Sequence, residues 1–426
     1  MTDHAALLAA VCDRPDDDTP RLVFADLLDD DGDATRAAFV RTQVELARTP
    51  DHHPLWAKCR HLDPDVFRGW GMAHTLPKPL PDGLTWRTHQ FRRGFPWLVG
   101  ALSAEAVAAG GDALLSVAPV QAVAFDDRAR PNLAELAAAP VLARLRRLEF
   151  TTFPLDADDL RPLVRSPHAG GLDELAFEHQ GISPEGLAVL AASDLFPRLR
   201  ALALHNNALP PALLVDALAA ADRPGQLRHL TLSLADLPAA DAAHLFALPL
   251  MRTVERLDLS ENKGLKSDGV AALVESGVVK RLEVLELAGT LPGVPGVKAL
   301  TATGGLAGVR RLDLSDNRLG PTAVRVLAES RNVRGLRVLD LSGNPVEDRG
   351  AEALAASRHL AGLVELNLKD CGVTDAGAVA LAESPHLAEL VRLELRDRGA
   401  AARPLGAEAR RALAERFGRA VSYNEG

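Results

Sequence analysis

The sequence contains few cysteines, few aromatic residues and no long apolar run. The three cysteines among 426 residues, Cys12, Cys59 and Cys371, are too few and too scattered for a disulfide framework or a zinc site. Aromatic residues make up only 4% of the chain, and no segment reaches the roughly 18 apolar residues of a membrane span. We therefore expect neither a disulfide-stabilised secreted domain nor a membrane protein.

The sequence also lacks an excess of positive charge and any known catalytic motif. Its net charge of −9 argues against a general nucleic-acid binder, since such proteins neutralise phosphates with basic faces. We find no nucleophile elbow, zinc-protease helix, phosphate-binding loop, C-x-x-C pair or dinucleotide-binding glycine pattern. His52, His53 and His61 lie near Cys59, but their spacing matches no zinc motif. We predict a protein that is not an enzyme and has no catalytic residue, cofactor or metal.

The dominant feature is an internal repeat with the pattern L-x-x-L-x-L-x-x-N/C. The clearest copies begin at Val254, Val309, Leu336 and Leu363, and weaker copies extend the series from Val120 to Leu390. Successive copies start 25 to 28 residues apart over eleven units. A fixed period of this length is typical of a solenoid.

Each repeat combines a strand pattern with a helix pattern. The L-x-x-L-x-L stretch alternates as a strand, and the alanine-rich stretch after it has apolar residues at helical spacing. Strands stack about 4.8 Å apart, whereas packed helices need roughly 8–10 Å. The sequence therefore predicts an α/β horseshoe with parallel strands on the concave face, helices on the convex face and an N-terminal α-helical module.

The repeats resemble the ribonuclease-inhibitor class of leucine-rich repeats over about residues 117–415. Members of that class are binding proteins, inhibitors or activators of small GTPases. The resemblance implies a binding surface and does not fix one function.

The fifth position of each repeat should project onto the concave face. Four successive acids, from Asp258 to Asp340, would then lie about 5 Å apart. Arginines at the third position would offset part of their repulsion. The candidate partner-binding residues are the acidic and basic members of these two columns: Asp258, Glu286, Asp313, Asp340, Glu394, Arg256, Arg311 and Arg392. They favour capture of a basic partner, although "LDLS" could also be a favoured strand sequence with solvated carboxylates.

The ninth position of the repeat has a structural explanation. Asn207, Asn262, Asn317 and Asn344 fall where the chain leaves the strand, and Cys371 occupies the same position. A buried side-chain amide there can pair with backbone groups of neighbouring turns. We predict a packing role for Cys371.

The first hundred residues do not follow the repeat. We predict helices at about 3–12, 20–29 and 34–48, the second with Thr19 as its N-cap and Gly32 at its end. Strands within residues 84–91 and 95–102 should cap the first repeat, after a stiff proline-containing connector at 75–83. A helix and a short strand within residues 413–423 should close the last repeat.

An unusual acidic run brackets the second helix. Residues 15–33 contain eight aspartates, and "DDDGD" resembles a calcium loop but lacks its first and last ligands. Residues 1–50 carry a net charge of −6 (five Arg against eleven Asp and Glu), and residues 51–100 carry +3 (seven Lys and Arg against four Asp). The basic segment is the first candidate to face the aspartates.

Residues 16–46 resemble the repeat-companion domain of planctomycete bacteria. The matching positions are Asp18-Thr19-Pro20-Arg21-Leu22, Ala25-Asp26, Gly32-Asp33, Arg36, Phe39-Val40-Arg41 and Gln43. Residues 91–95 and 413–423 also resemble parts of such proteins, whereas Leu27 and Ala38 stand where the family usually has Trp and Glu. The resemblance implies a class of protein and supplies no catalytic residue.

These observations lead to one main functional hypothesis. We predict a cytoplasmic scaffold that binds a protein partner, possibly basic, through the concave face or the N-terminal module, with no nucleic acid or membrane as partner. The expected domains are a helical module at 1–50, a linker and cap at 51–100 and the solenoid at 101–426. The alternatives are an enzyme regulator such as a GTPase activator, or the sensor part of a larger assembly. The sequence leaves the oligomeric state open.

Overall fold

A computed structural model describes most of the chain. The described residues are 3–59, 76, 79–87, 90–125, 131–179, 181–207, 209–221, 225–302, 304–398 and 404–423. His61 and residues 75, 77 and 78 of the proline-containing connector lie outside these ranges.

The chain forms two compact units. The first comprises Met1–Asp51, Cys59–Leu209 and Asp216–Gln226, and the second comprises His52–Lys58, Pro210–Val215 and Leu227–Gly426. The α-helices are α1 Asp3–Asp13, α2 Thr19–Asp30, α3 Ala34–Arg48, α4 Pro54–Cys59, α5 Ala104–Val117, α6 Leu133–Ala138, α7 Ala157–Val164, α8 Pro184–Ala191, α9 Pro211–Ala219, α10 Ala239–Ala247, α11 Lys266–Glu275, α12 Gly293–Thr301, α13 Pro321–Glu329, α14 Glu347–Ala355, α15 Asp375–Ala382 and α16 Ala407–Phe417. The strands are β1 Leu84–Trp86, β2 Phe91–Arg92, β3 Phe95–Pro96, β4 Leu98–Ala101, β5 Ala122–Phe125, β6 Arg147–Thr151, β7 Glu174–Glu178, β8 Ala201–His205, β9 His229–Thr231, β10 Arg256–Asp258, β11 Val284–Glu286, β12 Arg311–Asp313, β13 Val338–Asp340, β14 Glu365–Asn367, β15 Arg392–Glu394 and β16 Val421–Ser422.

Parallel strands alternate with helices in both units, as the repeat predicts. In the first unit β4 to β8 pair in parallel and β1 pairs antiparallel to β4, so β1 covers the edge that the sequence predicted to be capped. In the second unit β9 to β16 pair in parallel, with α16 and β16 ending the series. The predicted strand–helix solenoid is confirmed.

The leucines of the repeat pattern form the core between the strands and the helices. Leu257, Leu285, Leu312 and Leu339 are each at most 1% exposed and lie opposite one another on adjacent strands. Burying a leucine side chain contributes about 1.5–3 kcal/mol. Because these even positions face the helices, the odd positions of the same strands face away from them.

The ninth-position residues join successive repeats, as predicted. Asn262 is fully buried; its Nδ2 donates to the carbonyl of Leu232 at 2.8 Å, and its Oδ1 accepts from the N–H groups of Ala235 and Leu237. Cys371 is 1% exposed and its Sγ lies 3.1 Å from the carbonyl of Leu341. Burial raises the pKa of the Cys371 thiol to about 12, consistent with a packing role.

The first three helices form a small core with the β2–β3 hairpin. The buried members of this core are Val11, Phe24, Ala25, Leu28, Ala37, Val40, Val44 and Phe95. Phe95 comes from the hairpin, and its ring lies edge-on to Phe24 with centroids 5.4 Å apart. The three helices were predicted correctly, and the hairpin is an addition that the sequence did not reveal.

The start of α2 differs from the prediction. Thr19 is the first helical residue and Asp18 is the N-cap, without a side-chain capping bond. The exposed N–H of Thr19 instead donates to Oδ1 of Asp17 at 2.9 Å. The predicted end is confirmed, because Gly32 adopts a φ of +86° just after the helix.

The acidic run has mostly local partners. Oδ2 of Asp29 lies 2.6 Å from Arg41 of α3, and Oδ2 of Asp31 lies 3.1 Å from His4 of α1. Asp33 caps α3 by accepting the N–H of Arg36. These three aspartates thus have partners within the N-terminal helices. Among the described ion pairs, Asp18 reaches residues 51–100 through Arg93, at 3.5 Å.

Candidate functional site

The strand register of the second unit brings the predicted acids together. Asp258, Glu286, Asp313 and Asp340 are direct partners on β10, β11, β12 and β13. Strands in a sheet lie about 4.8 Å apart, so the four carboxylates form a continuous acidic row. All four side chains are half-buried on the sheet face that points away from the helices, called the open face below.

Serines at the seventh position of the repeat orient three of the acids through backbone hydrogen bonds. Oδ1 of Asp258 accepts the N–H of Ser260 at 2.8 Å, and Asp313 and Asp340 make the same bond with Ser315 and Ser342. This contact fixes each carboxylate at the end of its strand and gives the "LDLS" sequence a structural role. These serines were not predicted, although each recurs two residues after an aspartate in the sequence.

Glu286 departs from this arrangement. Its repeat has Ala288 where the others have serine, and Glu286 lies between Asp258 and Asp313. Burial, followed by the charges of Asp258 and Asp313, raises the pKa of Glu286 to about 7, while Arg311 and Arg256 act in the opposite direction. Glu286 is therefore partly protonated near neutral pH.

Asp313 and Asp340 form the other end of the row, which is followed by the amide side chain of Asn367. Burial and the neighbouring Asp340 raise the pKa of Asp313, although the Ser315 contact opposes this shift. Asn367 follows Asp340 on the next strand, and its Nδ2 donates to Oδ2 of Asp340 at 2.7 Å. The run of acids thus stops at β13.

The predicted arginines lie beside the row but do not form a continuous column. Arg256 and Arg311 are two strands apart, with Val284 between them. Arg392 lies three strands beyond Arg311, after Val338 and Glu365. Arg256 and Arg311 therefore flank the acidic row, whereas Arg392 lies outside it.

Glu394 is also separate from the acidic row. It lies beyond Asn367 on β15, is 8% exposed and pairs through Oε1 with Nε of Arg396 at 2.8 Å. Arg396 was not among the predicted site residues. Four of the five predicted acids and two of the three predicted arginines therefore lie together on β10 to β13.

The open face of β10 to β13 is charged. On β10 to β13, its third and fifth positions hold four carboxylates and two arginines, a formal balance of −2. Within the described residues, no group of three or more His, Cys, Asp or Glu side chains is arranged to hold a metal ion. No helix in that part of the chain is both long and apolar enough to cross a bilayer.

Comparison with protein families identifies the repeats of the second unit. The family model described as "Leucine Rich repeat" matches residues 251–274, 309–328, 336–355 and 362–382. With the register described above, the fold is a leucine-rich-repeat solenoid with an N-terminal helical module. No curated protein matches the chain in sequence.

Two solved structures are similar to the chain at low sequence identity. An internalin from Listeria monocytogenes is 14% identical, with a TM-score of 0.40, and the match covers 72% of this chain and 74% of the internalin. The complex of Rad7 and Elc1 in yeast contains a chain that is 15% identical, with a TM-score of 0.36 and coverage of 68% and 86%.

Proposed function

We propose that the protein is a non-catalytic scaffold whose acidic row binds a basic segment of a protein partner. The observation that carries this proposal is the register of four acids, Asp258 to Asp340, on adjacent strands of the open face. The N-terminal module is a second surface through which the scaffold could act on the same partner.

Charge complementarity supports a basic partner. Like charges on directly opposed strand positions destabilise a sheet by a few tenths of a kcal/mol or more. A partner's lysines or arginines would relieve this repulsion and would also accelerate association. On β10 to β13 the four carboxylates of the row are accompanied by two arginines, so a formal charge of −2 is available to such a partner.

The serine contacts support recognition through preorganised carboxylates. Asp258, Asp313 and Asp340 each accept a backbone N–H, so their side chains are already oriented before a partner arrives. Preorganised groups lose less conformational entropy on binding. The same contacts also stabilise the repeat, so a test of binding has to be accompanied by a test of folding.

The proposal is tested by capture of partners from native lysate with three full-length chains. The first is the wild type, and the second carries Asp313→Asn and Asp340→Asn, which keep the size and most hydrogen bonds of the row. The control carries Glu329→Gln and Glu352→Gln, which remove two exposed charges from α13 and α14, the helices of the same two repeats.

We expect a basic protein to be captured by the wild type and the control and lost from the row variant. Circular dichroism of all three chains checks that the fold is retained. An identical set of captured proteins with identical salt sensitivity for the three chains would refute the proposal.

A further inference from the structure

Glu286 is an inner member of the acidic row, with a carboxylate on each side. Its register partners are Asp258 on β10 and Asp313 on β12. Adjacent strands lie about 4.8 Å apart. Like charges at this separation, on side chains that are half-buried, raise the free energy of the fully ionised row. The row therefore has a lower free energy when one of its inner carboxyls holds a proton.

The two neighbours of Glu286 are fixed in position and favoured as anions. Oδ1 of Asp258 accepts the N–H of Ser260 at 2.8 Å, and Oδ1 of Asp313 accepts the N–H of Ser315 at 2.7 Å. A hydrogen bond donated to a carboxylate stabilises its ionised form. These bonds also keep both aspartates beside Glu286. Glu286 is therefore the member of this trio that takes up the proton.

Charged groups of both neighbouring strands act on Glu286. Burial, followed by the charges of Asp258 and Asp313, raises the pKa of Glu286 to about 7, whereas Arg311 and Arg256 oppose this shift. Its own strand, β11, carries no other charged residue. The carboxyl of Glu286 therefore gains or loses its proton near neutral pH.

We propose that Glu286 is a proton switch that sets the affinity of the acidic row for a basic partner, an inference that rests on the proposed function above. With Glu286 protonated, the three other carboxylates and the two arginines of β10 to β13 have a formal charge of −1. With Glu286 ionised, the formal charge is −2. Loss of one proton thus doubles the net negative charge of the row, and a basic partner binds more tightly as the pH rises through neutrality.

Partner binding and proton release are coupled in both directions. A lysine or arginine of the partner beside Glu286 favours the ionised carboxylate, so binding transfers the carboxyl proton to the solvent. By linkage, ionisation of Glu286 strengthens binding by the same factor by which the partner favours ionisation. Binding near neutral pH should therefore release up to about half a proton for each partner bound.

The switch is tested by calorimetric titration of the full chain with an N-acetylated, C-amidated oligoarginine peptide at about pH 6 and about pH 8. Arginine side chains and blocked ends do not titrate in this interval, so the peptide has no pH dependence of its own. Near neutral pH the titration is repeated in PIPES and in imidazole, because the different ionisation enthalpies of these buffers reveal the number of protons released. An NMR titration of the glutamate carboxyl carbons follows Glu286 without the peptide.

Two variants separate Glu286 from other groups that titrate near neutrality. Glu286→Gln holds the row permanently at the charge of the protonated form, and its NMR spectrum assigns the Glu286 signal. His229 on β9, the register partner of Arg256, stays intact in this variant, so any pH dependence due to the histidine is retained. Glu329→Gln is the matched control, because it removes an exposed carboxylate of α13 outside the row.

For the wild type and Glu329→Gln, we expect the Kd to fall at least about threefold between about pH 6 and about pH 8, with proton release near neutral pH. In Glu286→Gln the Kd should stay near the wild-type value at about pH 6, without proton release. The same pH dependence and proton release in the wild type and Glu286→Gln would overturn the inference. Titration of Glu286 at its ordinary pKa would overturn it as well.

Failure of the proposed function would give a different result. The chain with Asp313→Asn and Asp340→Asn would then bind the peptide with the wild-type Kd at both pH values. Absence of peptide binding to the wild type would refute both the proposed function and the switch. Weaker binding by the row variant, together with pH-independent binding by the wild type, would refute the switch alone.

Discussion

Asn344 accepts the backbone N–H of Asn317, its counterpart one repeat earlier, through Oδ1 at 3.0 Å. The Nδ2 of Asn344 donates to the carbonyls of Leu314 and Leu341, at 2.9 and 2.8 Å. One side chain thus satisfies buried backbone groups of two successive repeats, which explains why the ninth position of the pattern is an asparagine.

Replacing Asn344 should strongly destabilise the second unit. Asn344→Ala leaves several buried backbone groups unpaired, and each costs about 1–3 kcal/mol. We expect a total loss of about 3 kcal/mol or more, measured as a lower midpoint of urea denaturation. Asn344→Cys should lose less, because Cys371 occupies the equivalent position. Equal losses for both variants would contradict the hydrogen-bonding explanation.

Glu286→Gln should stabilise the protein at alkaline but not at acidic pH. The pKa of Glu286 is about 7 in the folded chain against an ordinary value of 4.5, so between these values the folded state binds more protons than the unfolded state. The favourable contribution of protonated Glu286 to the free energy of unfolding is therefore complete below about pH 4.5. This contribution declines as the pH rises through 7. Glutamine stays neutral and avoids this decline.

The expected gain at about pH 8 is roughly 1–2 kcal/mol, smaller than the full pKa shift implies because the side chain is partly exposed. Thermal unfolding of wild type and variant at about pH 5 and pH 8 measures it. Glu329→Gln on α13 is the control, since its carboxylate is exposed. A difference between wild type and Glu286→Gln that does not change with pH would contradict the raised pKa.

Phe95→Ala should destabilise the N-terminal helices although it lies outside them. Phe95 is 2% exposed and packs on Phe24 in the core of α1 to α3. Loss of a buried phenylalanine costs about 3–5 kcal/mol. Hydrogen exchange of the α2 and α3 amides should therefore accelerate. Unchanged protection of these helices would show that the hairpin is not part of their core.

The periodic features of the chain could be predicted from the sequence. The spacing of Leu257, Leu285 and Leu312 is enough to place each strand, because every repeat buries its leucines in the same way. The same spacing aligns Asp258, Glu286 and Asp313, so the acidic row follows from the repeat. Periodicity also predicted the inter-repeat hydrogen bonds of the asparagines.

Contacts outside the repeat could not be predicted. The packing of Phe95 on Phe24 joins residues 71 positions apart, and no pattern links them. The raised pKa of Glu286 depends on how far its carboxylate is buried and, next, on the charges of Asp258 and Asp313. Helix α2 begins at Thr19, one residue earlier than a helix with Thr19 as its N-cap would begin. The backbone N–H of Thr19 therefore donates a hydrogen bond to Oδ1 of Asp17.

The most direct test of the proposed function is the Kd of the captured partner as a function of ionic strength. It is measured for the wild type, for the chain with Asp313→Asn and Asp340→Asn, and for the control with Glu329→Gln and Glu352→Gln. We expect the row variant to bind at least about tenfold more weakly and with a shallower salt dependence, while the control matches the wild type. The same Kd and the same salt dependence for all three chains would contradict binding through the acidic row.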